Sequence, residues 1–166
     1  MSGPDGVARE VLELHRLLRA LGRTVAVAES LTGGLLAGAL TTPAGASQVV
    51  RGGLVVYATD LKARLAGVDE ALLAERGAVD PDVAIQLARG VRTRLSADYG
   101  VGVTGVAGPS EQDGRAVGTV FLAVAGPDDE AVAERSFDGD RAQIRDASVR
   151  AAVELLAREC ARALEA

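Results

Sequence analysis

Apolar residues recur at Val7, Val11, Leu14, Leu18 and Leu21, a 4-3-4-3 spacing that stops at Gly22. That period predicts a helix over 7–21 with a glycine stop. The run TVAVAE (24–29) is short and β-branched, the pattern of a buried strand, and a helix-like LLAGAL follows Ser30. GLVVY (53–57) predicts a second strand, and TDLKARLAG a short helix closed by Gly67. Asp80-Pro81 is a helix start, with Asp as N-cap and Pro in the first turn. Val83, Leu87, Val91 and Leu95 then give one apolar face to about residue 97. GVGVTG (100–105) predicts a third strand. GTVFLAVAG (118–126) and AVAERSFD (131–138) predict an antiparallel pair across the turn sequence GPDD. A long helix over about 141–164 ends the chain, capped by Asp140 with Gln143 at the reciprocal position. Its stripe is Val149, Val153, Leu156, Cys160 and Ala163.

The order is therefore α-β-α-β-α-α-β-β-β-α. Strands separated by helices imply right-handed crossovers and a mostly parallel sheet with helices on both faces. The 166 residues suit one domain over 1–166, without an internal repeat or linker. The Gly-rich stretch 105–118 is the one long irregular segment.

Composition narrows the function classes. The core is built from Ala, Val and Leu, because aromatics are limited to Tyr57, Tyr99, Phe121 and Phe137. A net charge of −5 with no basic cluster argues against nucleic-acid binding. No apolar run approaches the roughly 20 residues of a membrane span. The opening MSGPDGVARE has no basic segment followed by an apolar one, and a cytoplasmic location is expected. A lone cysteine, Cys160, permits no internal disulfide, and its place on an apolar stripe reads as core. His15, the one histidine, reads as a partly exposed helix residue. A Ser-His-Asp mechanism and a His/Cys metal cluster thus lack candidates. No metal and no cofactor are expected.

Two features carry chemistry. In AVAESLTGG a buried strand ends at Glu29, Ser30 and Thr32 follow, and Gly33-Gly34 open a helix. The simplest reading of Ser30 is an N-cap of that helix and nothing more, which leaves the glycines unexplained. The two glycines need a further reason, since each costs about 1 kcal/mol relative to Ala in a helix. They suit a ligand close to the backbone, and a strand-to-helix turn aims N–H groups at an anion or a developing oxyanion. The second feature is Lys62, the only lysine among 18 basic residues. Arginine does not lose its proton in a protein, whereas a buried lysine does. Ser30 and Lys62 each follow the C-terminal end of a predicted strand, where sites gather in parallel sheets. A Ser nucleophile with a Lys base is a known alternative to the histidine triad. Tyr57 ends the strand before Lys62, where it is expected to take part in catalysis by hydrogen-bonding the Ser-Lys pair or to stack on a ring. Thr104, Gly105 and Gly108 lie past the third strand. Arg141 stands at a helix N-terminus, where a cation opposes the macrodipole unless an anion is near.

These motifs, AVAESLTGGLLAGALTTPAGAS, RGGLVVYATDLKARLAGV, GAVDPDVA, VTGVAGP, VGTVF and GDRAQIR, resemble the CinA C-terminal domain family of nicotinamide-nucleotide amidohydrolases, from about residue 7 to 160. The resemblance implies a three-layer α/β/α fold with a mixed five-stranded sheet. It implies hydrolysis of nicotinamide mononucleotide to nicotinate mononucleotide and ammonia, and a homodimer. It places the nucleophile at Ser30, the lysine at Lys62, a tyrosine beside them at Tyr57, a small hydroxyl residue at Thr104 and a phosphate ligand at Arg141. Thr32, Gly33, Gly34 and Gly105 complete the expected substrate-binding set. The chain departs from the family at Leu31, where many members have Cys, and in SEQDGRAVGTV, which lacks a usual Gly-Gly and a Lys. The alternatives are a nucleotide-binding module of the same fold with a competence or regulatory role, and an amidase for another small amide.

Overall fold

The computed structural model describes residues 4–166; residues 1–3 of the opening stretch lie outside it. Elements run α1 (Pro4–Leu21), β1 (Val25–Glu29), α2 (Leu35–Thr41), β2 (Val50–Val55), α3 (Thr59–Ala66), α4 (Glu70–Arg76), α5 (Pro81–Arg94), β3 (Tyr99–Gly105), β4 (Thr119–Ala125), β5 (Glu130–Ser136) and α6 (Arg141–Glu165), with a 3-10 turn at Ala46–Gln48. The five strands form one sheet in the order β2-β1-β3-β4-β5. β1 pairs in parallel with β2 and β3, and β4 is antiparallel to both its neighbours. Four strands thus point one way and β4 alone the other.

Strand alternation separates the two faces. Val25 and Val27 of β1 join Leu14 and Leu18 of α1 and Val149, Val153 and Leu156 of α6 in one core. Ala26 and Ala28 face the other way, onto Val83, Leu87 and Val91 of α5 with Ala66 of α3 and Leu72 of α4. The small alanines let that layer come close to the sheet. Helices cover both faces, as the sequence implied.

Several boundaries differ from expectation. α1 begins three residues earlier than the apolar period suggested, and α5 ends at Arg94 instead of about 97. β2 occupies Val50–Val55, so Tyr57 lies two residues beyond the strand. Its Arg-Gly-Gly interior hid it, because edge strands need no continuous apolar run. The apolar pattern does not predict α4, because its adjacent Leu72 and Leu73 show no helical period; Asp69 caps it by accepting from the Ala71 N–H at 2.9 Å. His15 is a correction as well. It is fully buried beneath α2, where its Nε2 meets the Leu40 carbonyl at 2.9 Å, and burial pushes its pKa down. The capping box at Asp140 and Gln143 forms as expected.

Candidate active site

β1, β2 and β3 end side by side, and the chemistry-bearing residues lie just past those ends. The Ser30 N–H donates to the Val103 carbonyl at 3.1 Å, and the Val56 N–H to the Glu29 carbonyl at 2.8 Å. These bonds hold the first residues beyond β1 and β2 in place.

The turn after β1 is built around a buried carboxylate. Glu29 has no solvent exposure, and its side chain accepts from the N–H groups of Gly34 (3.2 Å), Leu36 (2.9 Å) and Ala37 (3.0 Å). It therefore caps α2 from the sheet side, where a negative charge complements the helix dipole, and Ser30 is not the N-cap expected from sequence: that position is Gly34. Gly33 and Gly34 sit at φ of +57° and +103°, conformations that side chains rarely adopt. Backbone geometry thus accounts for this glycine pair. The Gly33 N–H donates to the Ser30 carbonyl at 3.0 Å and the Leu35 N–H to the Thr32 carbonyl at 2.9 Å. The Gly33 and Gly34 amides, expected to face a ligand, are therefore occupied within the fold. Among the described residues, the N–H groups of Leu31 and Thr32 are the two in this turn without a hydrogen-bond partner. Thr32 is buried and its hydroxyl also lacks one.

Lys62 is the fourth residue of α3 and reaches back toward the strand ends. It is the largest fully buried side chain, 1% exposed. Its Nζ donates to Ser30 Oγ at 3.0 Å, to the Val56 carbonyl at 2.9 Å and to the Tyr57 carbonyl at 3.2 Å. Burial pulls its pKa down to about 8, and the Asp113 carboxylate opposes that fall. Loss of water's solvation penalises the ammonium form, the usual cause of such a shift.

The other expected residues divide. Arg141 bridges Tyr57 and the Gly-rich loop, donating to the Gly108 carbonyl at 2.6 Å and to the Tyr57 hydroxyl at 3.2 Å. The Tyr57 side chain is exposed and its hydroxyl meets Arg141 and not the Ser30–Lys62 pair; only its backbone carbonyl touches Lys62. Thr104 is buried and gives its hydroxyl proton to the Ala78 carbonyl at 2.8 Å. A side chain at Gly105 would come within 2.7 Å of the Thr119 carbonyl, a packing reason for that glycine.

Three further residues belong to the neighbourhood. Glu29 was legible only as a strand's last residue. Asp113 takes the Ala78 N–H at 2.9 Å and ties the 105–118 loop to the segment that Thr104 touches. Arg145 donates Nε to the Leu31 carbonyl at 2.9 Å and Nη2 to the Thr32 carbonyl at 3.4 Å. Its signal was the four-residue spacing from Arg141, which puts both on one helix face.

Among the described residues no group of three or more His, Cys, Asp or Glu could hold a metal ion. No helix there is long and apolar enough to cross a membrane.

Residues 8–160 match the CinA C-terminal domain family. A CinA-like protein of Frankia casuarinae is 50% identical over 159 residues, 95% of this chain and 37% of the relative. The chain spans about a third of the length of such curated relatives. Among solved structures, a CinA superfamily protein of Klebsiella pneumoniae aligns with a TM-score of 0.91 at 29% identity, covering 94% of this chain and 98% of that one. The competence/damage inducible protein CihA of Agrobacterium tumefaciens aligns with a TM-score of 0.88 at 39% identity, covering 94% and 97%.

Proposed function

The chain belongs to the CinA C-terminal domain family, and from that premise we propose that it hydrolyses the carboxamide of nicotinamide mononucleotide by a Ser30–Lys62 mechanism, without a metal or cofactor. One observation carries the reading: the only lysine is buried, has a pKa near 8 and touches Ser30 Oγ at 3.0 Å.

The partners of Lys62 support the direction of proton transfer. Two are carbonyls, which only accept. The neutral amine keeps two protons for those carbonyls, and its lone pair is left facing Ser30 Oγ, the one partner able to donate. At pH 7 a group with pKa near 8 is about one-tenth neutral, against about 3 in 10,000 at the ordinary lysine value.

The steps balance. Lys62 takes the Ser30 proton as Oγ bonds to the amide carbon, giving a tetrahedral oxyanion. Lys62 then protonates the leaving nitrogen, the C–N bond breaks and ammonia departs. Water, deprotonated by Lys62, attacks the acyl-enzyme; Lys62 returns that proton to Ser30 Oγ as the Oγ–C bond breaks, and nicotinate mononucleotide leaves with both groups restored. The free amides of Leu31 and Thr32 serve the oxyanion, in place of the Thr32–Gly34 set expected from sequence. An N–H just after the nucleophile plays this part in other strand-turn-helix hydrolases. Arg141 and Tyr57, exposed beside the loop, hold the phosphate.

The test is ammonia release from nicotinamide mononucleotide by wild type and Ser30→Ala, with EDTA present. Release by wild type only is expected. Calorimetric binding of the nucleotide without release would instead favour the nucleotide-binding module.

A further inference from the structure

The turn that carries Ser30 is held from two sides. Glu29 grips the N–H groups of Gly34, Leu36 and Ala37 from the sheet. Arg145, from α6, grips carbonyls on the opposite polarity of the same turn. A trans peptide points its C=O and its N–H in opposite directions within one plane. The Leu31 carbonyl shares a peptide with the Thr32 N–H. Arg145 Nε, at 2.9 Å from that carbonyl, therefore sets where the Thr32 N–H points. The Thr32 carbonyl shares a peptide with the Gly33 N–H, which in turn holds the Ser30 carbonyl at 3.0 Å. The Ser30 carbonyl shares its peptide with the Leu31 N–H. The longer Arg145 contact to Thr32, 3.4 Å, thus reaches the Leu31 N–H through one intervening hydrogen bond. The guanidinium orients the Thr32 N–H directly, and shares with the Leu35 N–H, 2.9 Å from the Thr32 carbonyl, the hold on the Leu31 N–H. The planar fork suits this double role, and its fixed charge polarises the peptides it holds toward more positive N–H groups.

We propose that Arg145 is a positioning residue for acyl transfer at Ser30: its guanidinium holds the Leu31 and Thr32 carbonyls so that the N–H groups of those two residues stay aimed at the oxyanion. The proposal rests on Ser30 being the nucleophile but not on the identity of the amide.

The test uses a fluorophosphonate probe, which reads the same machinery without nicotinamide mononucleotide. Ser30 Oγ bonds to phosphorus, fluoride leaves, the Oγ proton passes to Lys62, and charge grows on the phosphoryl oxygen. Labelling of the full chain is followed by intact mass against pH. Wild type is expected to label with a midpoint near the Lys62 pKa, and Ser30→Ala not at all. Arg145→Gln is expected to label about 10- to 100-fold more slowly at the plateau, with the midpoint unmoved. Arg145→Lys, which keeps a cation for the Leu31 carbonyl, is expected to recover part of the rate. A general loosening would admit water to Lys62 and move the midpoint upward. Arg145→Gln at the wild-type plateau rate, or slow with a raised midpoint, overturns the proposal. Should Arg145→Gln not fold, Arg145→Lys decides: a slower plateau at the same midpoint supports it and an unchanged plateau overturns it. Wild type that does not label removes Ser30 as nucleophile and takes both readings with it.

Discussion

Lys62 Nζ lies 3.0 Å from Ser30 Oγ, and its other two partners, the carbonyls of Val56 and Tyr57, can only accept. The amine is thus fastened to the ends of two parallel strands, and the one contact that can change hydrogen-bond direction is the serine.

The first prediction concerns pH. The productive form of Lys62 is neutral, and its pKa is lowered to about 8 by burial. Amide turnover should climb about tenfold per pH unit below that value and level off above it. Initial rates of ammonia release from pH 6 to 9.5 check this. A flat profile over that range would remove Lys62 as the base.

Lys62 should also cost the fold stability at neutral pH. Its folded pKa, about 8, lies below the 10.5 of an ordinary lysine. Below pH 8 both states hold the proton and the full cost of a buried ammonium, on the order of 3 kcal/mol, is present. Between pH 8 and 10.5 the unfolded chain holds more protons, so stability rises with pH. Relative to Lys62→Met, the wild type should gain about 2–3 kcal/mol from pH 7 to pH 10 in urea titrations. Lys62→Met should also lose at least about 100-fold in amide turnover. A pH-independent stability difference would contradict a buried, titrating lysine.

Arg141 and Tyr57 form an exposed pair beside the loop. If they hold a phosphate, Arg141→Ala should raise KM for the mononucleotide about 10- to 100-fold with a smaller change in kcat. The riboside, which has no phosphate, should be turned over equally by both proteins. Equal losses on the two substrates would move the phosphate elsewhere.

Glu29 accepts three backbone N–H groups in full burial. Glu29→Gln keeps the size but removes the charge and replaces one accepting oxygen with a donor. One or two of those N–H groups are then unsatisfied, and about 2–4 kcal/mol of unfolding free energy should be lost in urea titration. A loss below about 0.5 kcal/mol would mean that the cap contributes little to holding the turn.

Much of this protein is decided locally. The 4-3-4-3 spacing in α1, the Asp80-Pro81 start, the Asp140/Gln143 box and the β-branched run of β1 each mark their element from neighbouring residues, because propensity, capping and period are short-range properties. The lone lysine and the Ser-x-x-Gly-Gly turn were likewise visible, since their residue types are unusual where they stand. Tertiary structure decided the rest. The edge strand β2 forms through pairing with β1, not through its own Arg-Gly-Gly sequence. His15 is buried because α2 folds over it and offers the Leu40 carbonyl. The choice among backbone amides was also out of reach: which N–H of the Ser30 turn is free depends on the Glu29 carboxylate and the Ser30 carbonyl, and the carbonyls of that turn are held by Arg145, 115 residues downstream of Ser30. Spacing along a chain states which residues can share an element, but a hydrogen bond between α6 and the end of β1 exists only once the sheet has set the distance between them.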